Sequence, residues 1–293
     1  MKRLILNIML GLAIGGGLAS CSGDDISDNS IFPTTAPARS EFDQWILNNF
    51  TYPYNTEVTY KLNDIETDVT YHVVPADSAK SAKLAKLVKY MWFDAYDEVA
   101  GQTFLKKYAP RLIMMVGSAE YSSNNTMILG YASGSIKIAL LNVNNLTDEA
   151  LKDIETMNDW YLSTLHHEFT HILNQKVAYD KAFDQISEGD YVSGNWYQVE
   201  NDTAYAKGFV RNYAMQEPNE DFAETTADYI VYSDAKWAMI KEKAGANYAK
   251  IEEKVAFIRN YLQSAYGIDI DKMRAVVQRR ASELKYLDLD HLN

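Results

Sequence analysis

The sequence predicts an α+β fold: a mixed-sheet N-terminal lobe, a histidine-bearing helix at the junction, and a mainly helical C-terminal lobe. Three observations predict it. Short stretches rich in Ile and Val fall at 111–119, 126–133 and 135–143, broken by Gly and Asn as strands of a mixed sheet are. Segments with apolar residues at helical spacing precede and follow them. Between the strands and the last helices stands TLHHEFTHILNQ, residues 164–175, in which His167, Glu168 and His171 form His-Glu-x-x-His.

The chain opens with MKR and the apolar LILNIMLGLAIGGGL, too short and too Gly-rich for a membrane span. LASC, residues 18–21, resembles a bacterial lipobox and contains the only cysteine of the 293 residues. Residues 1–20 therefore read as a lipoprotein signal peptide, with lipid on Cys21 and no partner for a disulfide. Residues 21–40, polar and acidic, read as the lipidated cysteine and a flexible tether. The acids after Cys21 resemble the signal that exports lipoproteins of Bacteroidetes-type bacteria to the cell surface. The expected location is the outer membrane, exposed at the surface, with a periplasm-facing orientation as the alternative. The formal net charge of -12 excludes a nucleic-acid partner, because a phosphate backbone needs a basic face.

Residues 41–293 are the folded domain. Ser40 caps a short amphipathic helix carrying Phe42, Trp45, Ile46 and Asn49. Residues 52–62 alternate Val58, Tyr60 and Leu62 and read as a strand, and 68–75 read as a second. From Asp77 a helix places Leu84, Leu87, Val88, Met91 and Trp92 on one face and lysines on the other, closed by Gly101. The three sheet strands follow, with Gly134 in a tight hairpin connection. Residues 146–175 read as helical for much of their length, with a break near Asn158, and Asp148 and Glu149 suit the positive start. Residues 178–216 are irregular. Helices resume at 219–245, near 247–265 and at 269–285.

Residues four apart on a helix share a face, so His167 and His171 can offer two imidazole nitrogens to one Zn²⁺ ion. Glu168 lies about 100° round the helix from His167, close enough to take a proton from a water on the metal without binding the metal. His166, one residue early, reads as a packed or exposed bystander. A catalytic zinc needs a further protein ligand and an open position. The metzincin solution is absent: Asn174 stands where its Gly should be and Val177 where its third His should be. His72 and His291 are remote and without motif. The acidic stripe Glu220, Glu224 and Asp228, at i, i+4 and i+8 beside Ala223 and Ala227, is the better source. Phe222, Tyr229 and Ile230 suggest a buried helix, where unpaired acids are costly unless one binds metal and another orients a ligand histidine.

HEFTH followed by NEDFAE resembles the gluzincin zinc peptidases, a zincin-like fold. NExFA resembles the aminopeptidase-type third-ligand motif, and ExFAE the catalytic domain of the anthrax lethal factor type. The resemblance implies Glu220 as third zinc ligand and Glu224 as the carboxylate that orients a histidine. The separation of His171 from Glu220 is longer than in thermolysin-like enzymes, so the connecting segment departs from that pattern. FDQWILNNFTYPYNTEVTYKL (42–62), the lipobox, HEFTH and EDFAE together resemble the zinc-binding metallopeptidase lipoproteins of Bacteroidetes, also described as substrate-import-associated zinc metallohydrolase lipoproteins.

A peptidase also stabilises an oxyanion. Tyr213, just ahead of the acidic helix, is the candidate. Strand 135–143 is the expected edge for an extended peptide. The expected function is a zinc-dependent peptidase with peptide or protein substrates, a membrane contact through Cys21, and outer-membrane import proteins as partners implied by the resemblance. The alternative is a catalytically idle binding component of a nutrient import complex; intact Glu168 argues for the enzyme.

Overall fold

The structure, a computed structural model, describes residues 38–63, 70–122, 126–133 and 136–292. The expected signal peptide, Cys21, nearly all of the tether, and Gly134 lie outside the described residues. Among the described residues no helix is long and apolar enough to cross a membrane. Ser40–Asn293 forms one compact unit.

Helix α1 (Glu41–Ile46) starts at Ser40 with a capping box: Ser40 Oγ accepts from the Asp43 amide at 3.0 Å, and Asp43 Oδ2 accepts from the Ser40 amide at 3.1 Å. A π-helical turn (Leu47–Thr51) and the short α2 (Tyr52–Tyr54) extend it until Asn55 turns left-handed at φ 55°. The strand expected over 52–62 is thereby reduced to β1 (Glu57–Thr59). The second expected strand, 68–75, is also not formed. Residues 68 and 69 lie outside the described residues, and over 70–75 there is only a bridge from Pro75 to Val116. Proline has no N–H to extend a ladder.

Asp77 caps α3 (Ser78–Val88), accepting from the Lys80 amide at 2.9 Å. A π-helical turn (Lys89–Phe93) carries it into α4 (Asp94–Ala100), which Gly101 ends at φ 80°. Leu84, Leu87, Val88, Met91 and Trp92 are all buried along this rod. After α5 (Gln102–Tyr108) the sheet strands follow: β2 (Leu112–Met115), β3 (Glu120–Tyr121), β4 (Met127–Ile128), β5 (Gly130–Ser133) and β6 (Lys137–Leu140). The main sheet has the order β1-β2-β6-β5, parallel except for the β5–β6 pair; β3 and β4 form a separate antiparallel hairpin. Side chains alternate across the sheet. Ile113, Met115, Ile138 and Leu140 join the main core, while Met114, Val116, Ala139 and Leu141 form a small core on the opposite face. One expectation is corrected here. Strand β6 is bonded on both sides, so it is not the edge; β5 is.

Thr147 caps α6 (Asp148–Lys152), and α7 (Ile154–Met157) follows after a break at Asp153, where ψ is 105°. At Asn158, where a break was expected, the backbone stays helical through a π-helical turn (Asn158–Leu162) into α8 (Ser163–Lys176). Asn158 is buried and donates to the Val231 carbonyl at 3.1 Å. The irregular stretch holds α9 (Asn201–Ala206). Then come α10 (Pro218–Val231), α11 (Asp234–Ala244), α12 (Tyr248–Tyr266) and α13 (Ile270–Glu283). The single run expected at 219–245 is two helices, because Ser233 caps a new one by accepting from the Lys236 amide.

Helix α10 packs against α8, α12 and α13, and every residue from Asp221 to Asp228 is buried. Burying Asp221 without a partner would be costly. Lys254 of α12 answers it: Nζ lies 2.7 Å from Asp221 Oδ2, both side chains fully buried. Tyr191 and Thr225 donate to the same carboxylate, and Lys254 also donates to the Gly208 carbonyl at 2.9 Å.

Candidate metal centre

Helices α8 and α10 run side by side and present their polar faces to each other. The i, i+4 spacing of His167 and His171 brings their Nε2 atoms to 3.0 Å from each other. Glu220 comes from the first turn of α10, with Oε2 3.0 Å from His167 Nε2 and 3.4 Å from His171 Nε2. This oxygen is buried yet has no aligned hydrogen bond. Tetrahedral zinc with bonds of about 2.0–2.1 Å sets its donor atoms roughly 3.3 Å apart. Two imidazoles and one carboxylate at such spacing fit zinc, in both geometry and donor chemistry.

The electrostatics agree. Burial opposes charge on His167, but Glu224 and Glu220 outweigh it and raise the imidazole pKa well above its ordinary value. Burial likewise opposes charge on Glu220, yet His167 and His171 hold its carboxyl below the usual range. The carboxylates of Glu224 and Glu220 thus favour positive charge at His167.

The acidic stripe divides into three roles by position. Glu220 faces the histidine pair. Glu224 Oε1 stands 2.8 Å from His167 Nδ1, the nitrogen turned away from Glu220. A carboxylate there fixes the tautomer and leaves Nε2 free to bind. Asp228 turns elsewhere, accepting from Ser163 Oγ at 2.9 Å. Burial and the charge of Glu224 push its pKa up to about 7.

Glu168 lines two cavities that border the cluster, one together with His167 and the other together with His171 and Glu220. Burial raises its pKa, while the two histidines and the Ala132 amide of β5 pull the other way. Tyr213 reaches the cluster, its ring 5.9 Å from that of His167. Burial and the surrounding carboxylates raise its pKa, so the phenol stays a donor. His166 points into the aromatic core, 3.1 Å from the Tyr96 hydroxyl, and burial pushes its pKa down to about 3.

A cleft of about 490 Å³ opens beside the cluster, lined by His167, Glu168, Tyr213, Trp196 and Arg211 among others. Gly130 forms part of its wall. A Cβ there would meet Thr164 Cγ2 at 2.6 Å and the Ala139 carbonyl at 2.8 Å, so only glycine lets α8 approach the edge strand this closely. Sequence reasoning missed Arg211, whose Nε lies 3.2 Å from Glu224 Oε2, and Trp196, whose ring packs 4.8 Å from that of Tyr213. Both come from the irregular stretch, where no periodicity marks a facing residue.

Residues 35–271 match the family described as "putative zinc-binding metallo-peptidase". The chain belongs to that family. A crystal structure of a protein of the same description, from Bacteroides caccae, is similar at 39% identity and a TM-score of 0.76, covering 90% of this chain and 100% of that one. No curated protein matches. The small mixed sheet, the helical C-terminal region and the His-His-Glu cluster are those of a zincin-like metallopeptidase.

Proposed function

We propose that the chain is a zinc-dependent peptidase of gluzincin type, held at the outer membrane by lipid on Cys21 and facing the cell surface. The convergence of His167, His171 and Glu220 beside Glu168 carries the catalytic part of this reading. The LASC sequence supports the anchor. Zinc, when bound, supplies Lewis acidity that lowers the pKa of water towards neutrality. Glu168 takes the proton of the attacking water and passes it to the leaving amine. Burial raises its pKa and so brings its proton affinity nearer neutrality. Glu224 holds His167 in the binding tautomer. Tyr213, kept protonated, donates to the developing oxyanion. Strand β5, which ends the sheet beside α8, offers backbone groups to an extended peptide.

Glu168→Gln is expected to keep about one zinc per chain and to lose cleavage of a broad peptide library. If the wild-type protein, zinc-loaded, cleaves nothing, the idle import-complex component becomes the better reading. Palmitate labelling that survives Cys21→Ala would remove the proposed anchor.

A further inference from the structure

We propose that Arg211 determines specificity by reading a carboxylate on the substrate, either an acidic side chain or a free chain terminus, in the cleft beside the His-His-Glu cluster. The inference rests on the peptidase reading above and gives its substrate a chemical class.

Arg211 is the only Lys or Arg among the described residues lining this cleft. Its side chain is 34% exposed, unlike the fully buried Lys254 that neutralises Asp221. Among the described residues the one carboxylate in ion-pair contact with it is Glu224, 3.2 Å from Nε. That contact is not an aligned hydrogen bond, since Glu224 Oε2 has no hydrogen-bond partner. Glu224 thus faces Nε alone and leaves the two terminal NH₂ groups of the guanidinium for a ligand. A guanidinium carries five N–H donors in a planar fork that matches a carboxylate with two parallel bonds.

The surroundings suit such a ligand. Asp228, the other buried acid nearby, has a pKa of about 7 and opposes Arg211 less than a full charge would. Met127 and Trp196 give the same cleft apolar wall, against which the methylenes of a glutamate can pack. Asp159 also lines the cleft. It favours a cation instead, so acid and amine must be compared directly.

The test uses the zinc-loaded protein and hydroxamate-tipped peptides with amidated ends that differ in one residue beside the hydroxamate: Glu, Gln or Lys. A fourth probe carries Gln and a free terminal carboxylate. Affinities are measured by calorimetry and need no turnover. A carboxylate probe should bind about tenfold or more tighter than amidated Gln; whether Glu or the free terminus gains tells which carboxylate is read. In Arg211→Gln the two should come within about twofold, and Arg211→Lys, which keeps the charge but not the fork, should lose much of the ratio. The ratio is the readout because a disturbed Glu224 would weaken every probe alike. Equal binding of acid and amide to the wild type, tightest binding of Lys, or a ratio that survives Arg211→Gln overturns the proposal. Binding of no probe overturns it together with the metal site. Binding without cleavage of any peptide overturns the peptidase reading alone, and the ratio still decides this one.

Discussion

Glu220 and Glu224 sit one helical turn apart, and removing them should have effects that differ in kind. Glu220 Oε2 faces both histidine Nε2 atoms, at 3.0 and 3.4 Å. Glu224 meets only the far nitrogen of His167, at 2.8 Å, and Arg211. Glu220→Ala should therefore remove a zinc ligand and leave the metal on two histidines. Glu224→Ala leaves three ligands but frees the His167 ring to rotate and to change tautomer. The loss of such an orienting partner costs about 10–100-fold in metal affinity, or about 1.4–2.7 kcal/mol. Competition with a chromophoric chelator at fixed pH measures both variants on one scale. Glu224→Ala should fall within that range and Glu220→Ala well below it. If Glu224→Ala loses the metal outright while Glu220→Ala holds it at wild-type affinity, the reasoning from these distances is refuted.

Two further outcomes follow from buried charge. Lys254→Met leaves the buried Asp221 without its cation, held only by the Tyr191 and Thr225 hydroxyls, and should cost about 3–5 kcal/mol in denaturant unfolding; the double change Lys254→Met with Asp221→Leu should recover most of it, and no recovery would count against the pairing. Asp228 has its pKa raised from 3.8 to about 7, chiefly by burial, so the folded state holds a proton that the unfolded state has released. Its contribution is present below pH 4 and is lost as pH rises towards 7. Asp228→Asn should flatten the decline of stability across that window in pH-dependent unfolding, and an unchanged slope would contradict it.

What the sequence made legible was local. Ser40 and Asp77 mark helix starts because a cap is a contact within three residues. His167 and His171 needed only the helical period to share a face. The strand at 52–62 was lost to a helical turn at Tyr52–Tyr54, a choice the alternation of Val58, Tyr60 and Leu62 does not reveal. The peptide-facing edge was misplaced because strand order is set by long-range pairing: β6 is bonded on both sides, whereas β1 and β5 end the sheet. Glu220 and Glu224 stood out through a motif shared with other zinc peptidases. Arg211 and Trp196 had no motif and no period, and only tertiary packing brings them to the cleft.

The buried Asp221–Lys254 pair lies next to Glu220 in sequence, and it bears on when the site comes into being. Both histidines belong to one helix, which is complete by Lys176. The carboxylate that joins them stands on a helix whose inner face carries a charge that only α12 neutralises. A chain synthesised from its N-terminus therefore exposes the histidine pair long before it can seat Glu220. A fragment ending short of Lys254 carries the whole motif without a settled third ligand. On the metal-site reading, the third ligand is therefore seated only once α12 has joined the fold.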